Sequence, residues 1–72
     1  MTFVEQLHLV RRLHYLIQTK ATGCPQNLAT RLGISRASVF KYLDELRNLG
    51  AEIHYLRDRQ SYQYENNFKL QL

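Results

Sequence analysis

Seventy-two residues suffice for one compact domain with a single core, but not for that core plus a separate catalytic or ligand-sensing lobe. The composition, 44% hydrophobic and 22% charged, is that of an ordinary folded domain, and no apolar run approaches the ~20 residues needed to cross a bilayer. Ten Lys and Arg against six Asp and Glu give a net charge of +4, the sign expected of a protein whose partner is rich in phosphate. The lone cysteine, Cys24, excludes an internal disulfide and fits a reducing cytoplasm. Residues 1–10 lack the basic-then-apolar arrangement of an export signal.

Thr2 followed three residues later by Glu5 is a capping-box pattern, which predicts a first helix over about 3–20. At 100° per residue, Leu9, Leu13, Leu16 and Ile17 form its core stripe. Phe3, Leu7, Val10 and His14 form a second stripe turned by roughly a quarter circle or more. That is too much apolar surface for one interface, so a two-fold homodimer through these four residues is expected. The alternative is that the C-terminal segment of the same chain covers the stripe.

The first break comes at Gly23 and Pro25. Proline suits the first helical position, where its missing N–H would be unpaired anyway, and a short helix over 25–32 follows, with Leu28, Ala29 and Leu32 on one face. Gly33 closes it, and Ser35 caps a third helix over about 35–49 whose buried face is Val39, Leu43 and Leu46. After Gly50 the period changes from helical to alternating. Ile53 and Tyr55, the polar break Arg57-Asp58-Arg59-Gln60, then Tyr62 and Tyr64 predict a hairpin within 51–65. Asn66-Asn67 is a further turn signal, and Phe68, Leu70 and Leu72 alternate through a last strand or extended arm over 66–72. The fold class is α+β, with three helices followed by a β-hairpin.

The segment Leu28-Ala29-Thr30-Arg31-Leu32-Gly33-Ile34-Ser35 joins two helices through a tight turn plugged by Ile34, the chemistry of a helix-turn-helix. The exposed face of the third helix carries Arg36, Ala37, Phe40 and Lys41 near the end that enters a major groove. Arg36 can donate two hydrogen bonds to a guanine edge, while Ala37 and Phe40 offer apolar surface to a thymine methyl. Ser35, Ser38 and the first-turn amides suit phosphate oxygens. Periodicity alone fits equally well a three-helix core with a solvated basic face.

From Arg12 to Leu70 the chain resembles the N-terminal winged-helix domain of bacterial transcriptional regulators of the WYL and DeoR types, and is similar to the biotin-repressor DNA-binding domain. Leu28-Ala29, then Leu32-Gly33-Ile34-Ser35, then a pair before Val39 carry the likeness; Leu43, Leu46, Leu49, Gly50, Ile53, Tyr55 and Tyr62 continue it into the wing. The resemblance implies a winged helix-turn-helix in which Ser35, Arg36, Ala37, Ser38, Phe40 and Lys41 contact double-stranded DNA. It also implies that Arg57 and Arg59 at the wing tip reach the flanking backbone or minor groove. Where those families often carry glycines in the wing turn, this chain has Gln60-Ser61.

Other chemistry finds little support. His8, His14, His54 and Cys24 have no metal-ligand spacing, Cys24 stands where a helix cap belongs, and the adjacent Asp44 and Glu45 point in different directions from their helix. No Gly-rich phosphate loop is present. The expectation is a DNA-binding regulator that is not an enzyme and takes no cofactor, metal, membrane or small-molecule partner. Two alternatives stay open: a winged-helix module that binds protein through Phe40 and the tyrosines, and a phage or mobile-element factor that shapes DNA.

Overall fold

Three helices followed by a two-stranded antiparallel hairpin make up the computed structural model, which describes residues 2–70: α1 Phe3–Gln18, α2 Pro25–Leu32, α3 Arg36–Asn48, β1 Ile53–Leu56 and β2 Ser61–Tyr64. Local chemistry fixes where each helix begins. Thr2 Oγ1 accepts from the Glu5 amide at 3.2 Å, and Ser35 Oγ accepts from the Ser38 amide at 3.1 Å. Pro25 opens α2, whose N-cap Cys24 makes no side-chain cap bond.

The ends are equally local. Gly33 closes α2 at φ 70°, a left-handed conformation that costs a residue without a Cβ nothing, and Ile34 N–H reaches back to the Ala29 carbonyl at 3.0 Å. The first helix stops at Gln18, two residues short of the expected limit. Lys20 itself takes the left-handed φ of 56° that lets the Ala21 amide donate to the Leu16 carbonyl at 2.9 Å, and a residue that reverses the chain cannot also be helical. No helix among the described residues is long and apolar enough to cross a membrane.

The core stripe of α1 is buried as its periodicity demands: Leu13 and Ile17 are fully inside and Leu9 nearly so, with Leu16 packed at the edge. Leu13 and Ile17 meet Leu28 and Ala29 of α2, then Val39, Leu43 and Leu46 of α3, then Ala51 and, from the hairpin itself, Ile53 and Tyr62. Each fully buried Leu or Ile contributes about 1.5–3 kcal/mol against exposure, so this one cluster carries the domain. Ile34 is half-buried in the turn between α2 and α3, holding the two helices at a fixed angle.

The hairpin pairs Ile53 with Tyr64, His54 with Gln63, Tyr55 with Tyr62 and Leu56 with Ser61. One bond beyond the strands, from Glu65 N–H to the Glu52 carbonyl at 2.8 Å, sets the phase of the ladder. His54 and Gln63 then face each other across hydrogen bonds, whereas Ile53, Tyr55, Tyr62 and Tyr64 turn their N–H and C=O groups outward. At the close pair the Tyr55 and Tyr62 rings meet edge to face, 5.0 Å apart. Such a two-stranded sheet is marginal by itself, so its edges decide whether it holds.

Both edges are clasped from a distance. On the β2 side, Tyr62 N–H donates to Thr22 Oγ1 at 2.9 Å. Thr22 and Ser61 are buried to 0% and 1% exposure and lie with their hydroxyl oxygens 3.1 Å apart, while Thr22 N–H reaches Ser61 Oγ at 3.3 Å. On the β1 side, the Ile53 carbonyl accepts from Arg47 Nη2 at 3.2 Å. The loop over 57–60 is closed by Gln60 at φ 49°, with its N–H on the Arg57 carbonyl at 3.3 Å. Glutamine thus takes the left-handed position that glycine holds where such turns are tight.

No third strand forms over 67–70: the outward amide of Tyr62 is already spent on Thr22, and the segment runs as an irregular arm. Asn66 fastens its start, donating to the Gly50 carbonyl at 3.0 Å and accepting from Glu52 N–H at 3.3 Å. Phe68 then lies against Tyr64 at 5.3 Å and His14 at 6.0 Å, and Leu70 packs on the core cluster. Leu72, the last apolar residue of the expected arm, lies outside the described residues.

Candidate nucleic-acid interface

Helical geometry sorts the exposed residues of α3 into two groups. Ala37 and Lys41 project opposite the buried line of Val39, Leu43 and Leu46, away from the core. Arg36, Phe40 and Arg47, spaced at i, i+4 and i+11, lie along the flank beside Leu43. That flank faces the hairpin, because Arg47 bonds to β1. Burial pushes the Tyr62 phenol above its ordinary range, and the charges of Arg47 and Arg36 pull it partly back. By helical phase Arg36 lies on the wing-side flank, while Ala37 and Lys41 stand on the open face.

All the expected contact residues of the helix are exposed except Ser38, which is half-buried. Phe40 keeps 43% of its surface in solvent, unusual for a phenylalanine without a partner surface. The two serines are engaged with each other. Ser35 Oγ caps the Ser38 amide and donates to Ser38 Oγ at 3.0 Å, so these hydroxyls shape the first turn before they can meet a phosphate. Charge along the helix is polarised: Arg36 and Lys41 lie in the N-terminal half, and Asp44 and Glu45 follow. Asp44 is neutralised locally by Arg47 at 3.0 Å, which removes a repulsive charge from the middle of the face.

At the wing, Arg57 and Arg59 are exposed on either side of Asp58, in the loop between β1 and β2. The residues expected to pair two copies are divided. Phe3 is 74% exposed and Leu7 half-buried, with Val4 also exposed beside them. Val10 packs against the core cluster, and His14 Nδ1 lies 2.8 Å from the Tyr64 hydroxyl under the Phe68 ring. Burial holds the His14 imidazole below its ordinary range and pushes the Tyr64 phenol up to about 12.

Three residues that shape this surface carried no local signal. Arg47 reads from sequence as a basic residue in the last turn of a helix, Thr22 as part of a linker, and Asn66 as a turn former. Each acts instead on backbone groups of the hairpin or the segment leading into it. Arg31 does similar work for the linker, donating to the Ala21 carbonyl at 3.1 Å.

A family model described as an HTH domain matches residues 9–63, from the core stripe of α1 through the end of the hairpin. No curated protein and no solved structure matches the chain significantly.

Proposed function

The chain belongs to the helix-turn-helix domain family, a family of DNA-binding domains, and from that premise we propose that it regulates transcription by reading duplex DNA with both α3 and the wing. The first turns of α3 enter the major groove. Ala37 and Lys41 meet the groove floor and a phosphate, Arg36 takes a guanine edge from the wing-side flank, and Phe40 packs on a thymine methyl. Ser35 and Ser38 present the first-turn amides to the backbone. Arg57 and Arg59 follow the adjacent phosphates or minor groove.

The observation that carries this reading is the helical phase that sets the exposed Arg36 and Phe40 on the same flank of α3 as Arg47, whose guanidinium bonds to β1. A second copy completes it by pairing on Phe3 and Leu7, since Val10 and His14 are engaged within the chain. Sedimentation equilibrium at micromolar protein then shows the doubled mass and Phe3→Glu the single one; an unchanging 8.6 kDa excludes the pair.

Selection from random duplexes followed by titration tests the DNA reading. Arg36→Ala is expected to cost about 1–3 kcal/mol on the selected site and to relax its sequence preference, with the fold intact. Neutralising Arg57 and Arg59 together weakens all duplexes alike and makes log K against log salt shallower by up to about two phosphate equivalents. A wild-type chain that enriches no duplex refutes the reading.

A further inference from the structure

We propose that Arg47 is a positioning residue that locks the wing to the recognition helix, so that the two halves of the DNA surface move as one body. The inference rests on the DNA-binding reading above and adds a residue that need not touch DNA. Its basis is a pair of bonds made by one guanidinium. Nη1 binds Asp44 Oδ1 at 3.0 Å, one helical turn back on α3, and Nη2 donates to the Ile53 carbonyl at 3.2 Å, the first residue of β1.

The second bond is directional by necessity. Ile53 sits opposite Tyr64 in a pair whose backbone groups point away from the sheet, so its carbonyl has no partner within the hairpin. Arg47 supplies one from the last turn of α3, and Asp44 holds the planar guanidinium in the orientation that reaches it. Between Asn48 and Ile53 the chain passes through Gly50 at φ 109°, held by Gly50 N–H on the Arg47 carbonyl and by Asn66 on the Gly50 carbonyl, each at 3.0 Å. The clamp thus adds a direct side-chain tie between α3 and β1 across the segment that Asn66 fastens from the other end of the hairpin.

The energetics favour orientation over stability. The ion pair is exposed, 42% for Arg47 and 72% for Asp44, and such pairs contribute little to folding. The core beneath, Leu46 with Ala51 and Ile53, is complete without the guanidinium. Loss of the clamp should leave a folded domain whose wing samples more directions.

Arg47→Lys separates positioning from charge. Lysine keeps the positive charge but lacks the planar fork that serves a carboxylate and a carbonyl together. In the free protein, backbone 15N relaxation of residues 57–60 should show lower order parameters in Arg47→Lys and in Arg47→Gln than in the wild type. Affinity for the selected duplex should fall about fivefold in Arg47→Lys, and in that background the loss caused by neutralising Arg57 and Arg59 should shrink by a similar factor. Asp44→Asn, which retains the carbonyl bond, should show the same trend more weakly. Unchanged wing relaxation in both Arg47 variants overturns the clamp, whatever happens with DNA. Changed relaxation with fully independent losses overturns its role in reading DNA. Failure of the wild type to bind any duplex refutes the DNA reading and leaves the relaxation result standing as a test of the clamp alone.

Discussion

The recognition half, Pro25 to Asn48, and the wing, Ile53 to Tyr64, are held by opposite means. In the first, the caps and turns are closed within five residues, by Pro25 at the helix start, Gly33 and Ile34 at the turn and Ser35 on Ser38, and the apolar residues that enter the shared core are set by helical spacing. In the second, the strands are short and the groups that fix them come from outside the strands. Thr22 acts across 40 residues on Tyr62, Arg47 comes from another element, and Asn66 clasps the segment before β1. A helix satisfies its own backbone, whereas a two-stranded sheet leaves two edges that something else must satisfy. The half of the surface proposed for the major groove is therefore capped and turned by local rules, and the half proposed for the flanking backbone is held by tertiary ones.

That contrast is broken most directly at Thr22. Thr22→Val keeps the shape but leaves the buried Tyr62 amide without its partner, which should cost about 1–3 kcal/mol in urea unfolding. If the wing were as locally encoded as α2 and α3, the midpoint would not move. In the recognition half the sensitive point is conformational. A Cβ on Gly33 meets nothing within 4 Å, so Gly33→Ala tests backbone strain alone and should destabilise by about 1–2 kcal/mol.

Gln60 offers the reverse experiment. Glutamine holds a left-handed φ of 49° in the wing turn, and Gln60→Gly relieves that strain while adding freedom to the unfolded chain. The two effects leave a net gain of about 0.5 kcal/mol, visible as a small rise in thermal midpoint. A loss of stability there would mean that the glutamine side chain, and not the turn geometry, is what the wing needs.

The smallest effect is expected from pH, at the contact where the arm and β2 meet α1. His14 is held below its ordinary range, so the unfolded chain binds the proton more readily and stability falls as pH drops below about 6.5. Tyr64 is raised to about 12, so the unfolded chain releases its proton first and stability falls as pH climbs from about 10 towards 12. Urea midpoints against pH should show both limbs, and Tyr64→Phe should flatten the alkaline one. A profile unchanged by that substitution would place the alkaline loss elsewhere.

Much of this was legible in the residues themselves. The turn Leu32-Gly33-Ile34-Ser35 and the line Val39, Leu43, Leu46 set both helices of the motif, and Ile53, Tyr55, Tyr62 and Tyr64 set the hairpin, because helical and alternating periods are properties of neighbouring residues. The exposure of Arg36, Ala37, Phe40, Lys41, Arg57 and Arg59 followed from the same periods. What only the tertiary structure decided is which flank of α3 looks toward the wing, which apolar residues of α1 are consumed within the chain, and what closes the edges of the sheet. Arg36 and Phe40 join Arg47 on the wing side, and Val10 and His14 leave the exposed stripe to pack against the core, Tyr64 and Phe68. Local period tells a residue that it faces inward or outward; the identity of what it faces depends on where a distant segment comes to rest, and unpaired edge amides and carbonyls select that segment by hydrogen bonds that no neighbouring residue announces.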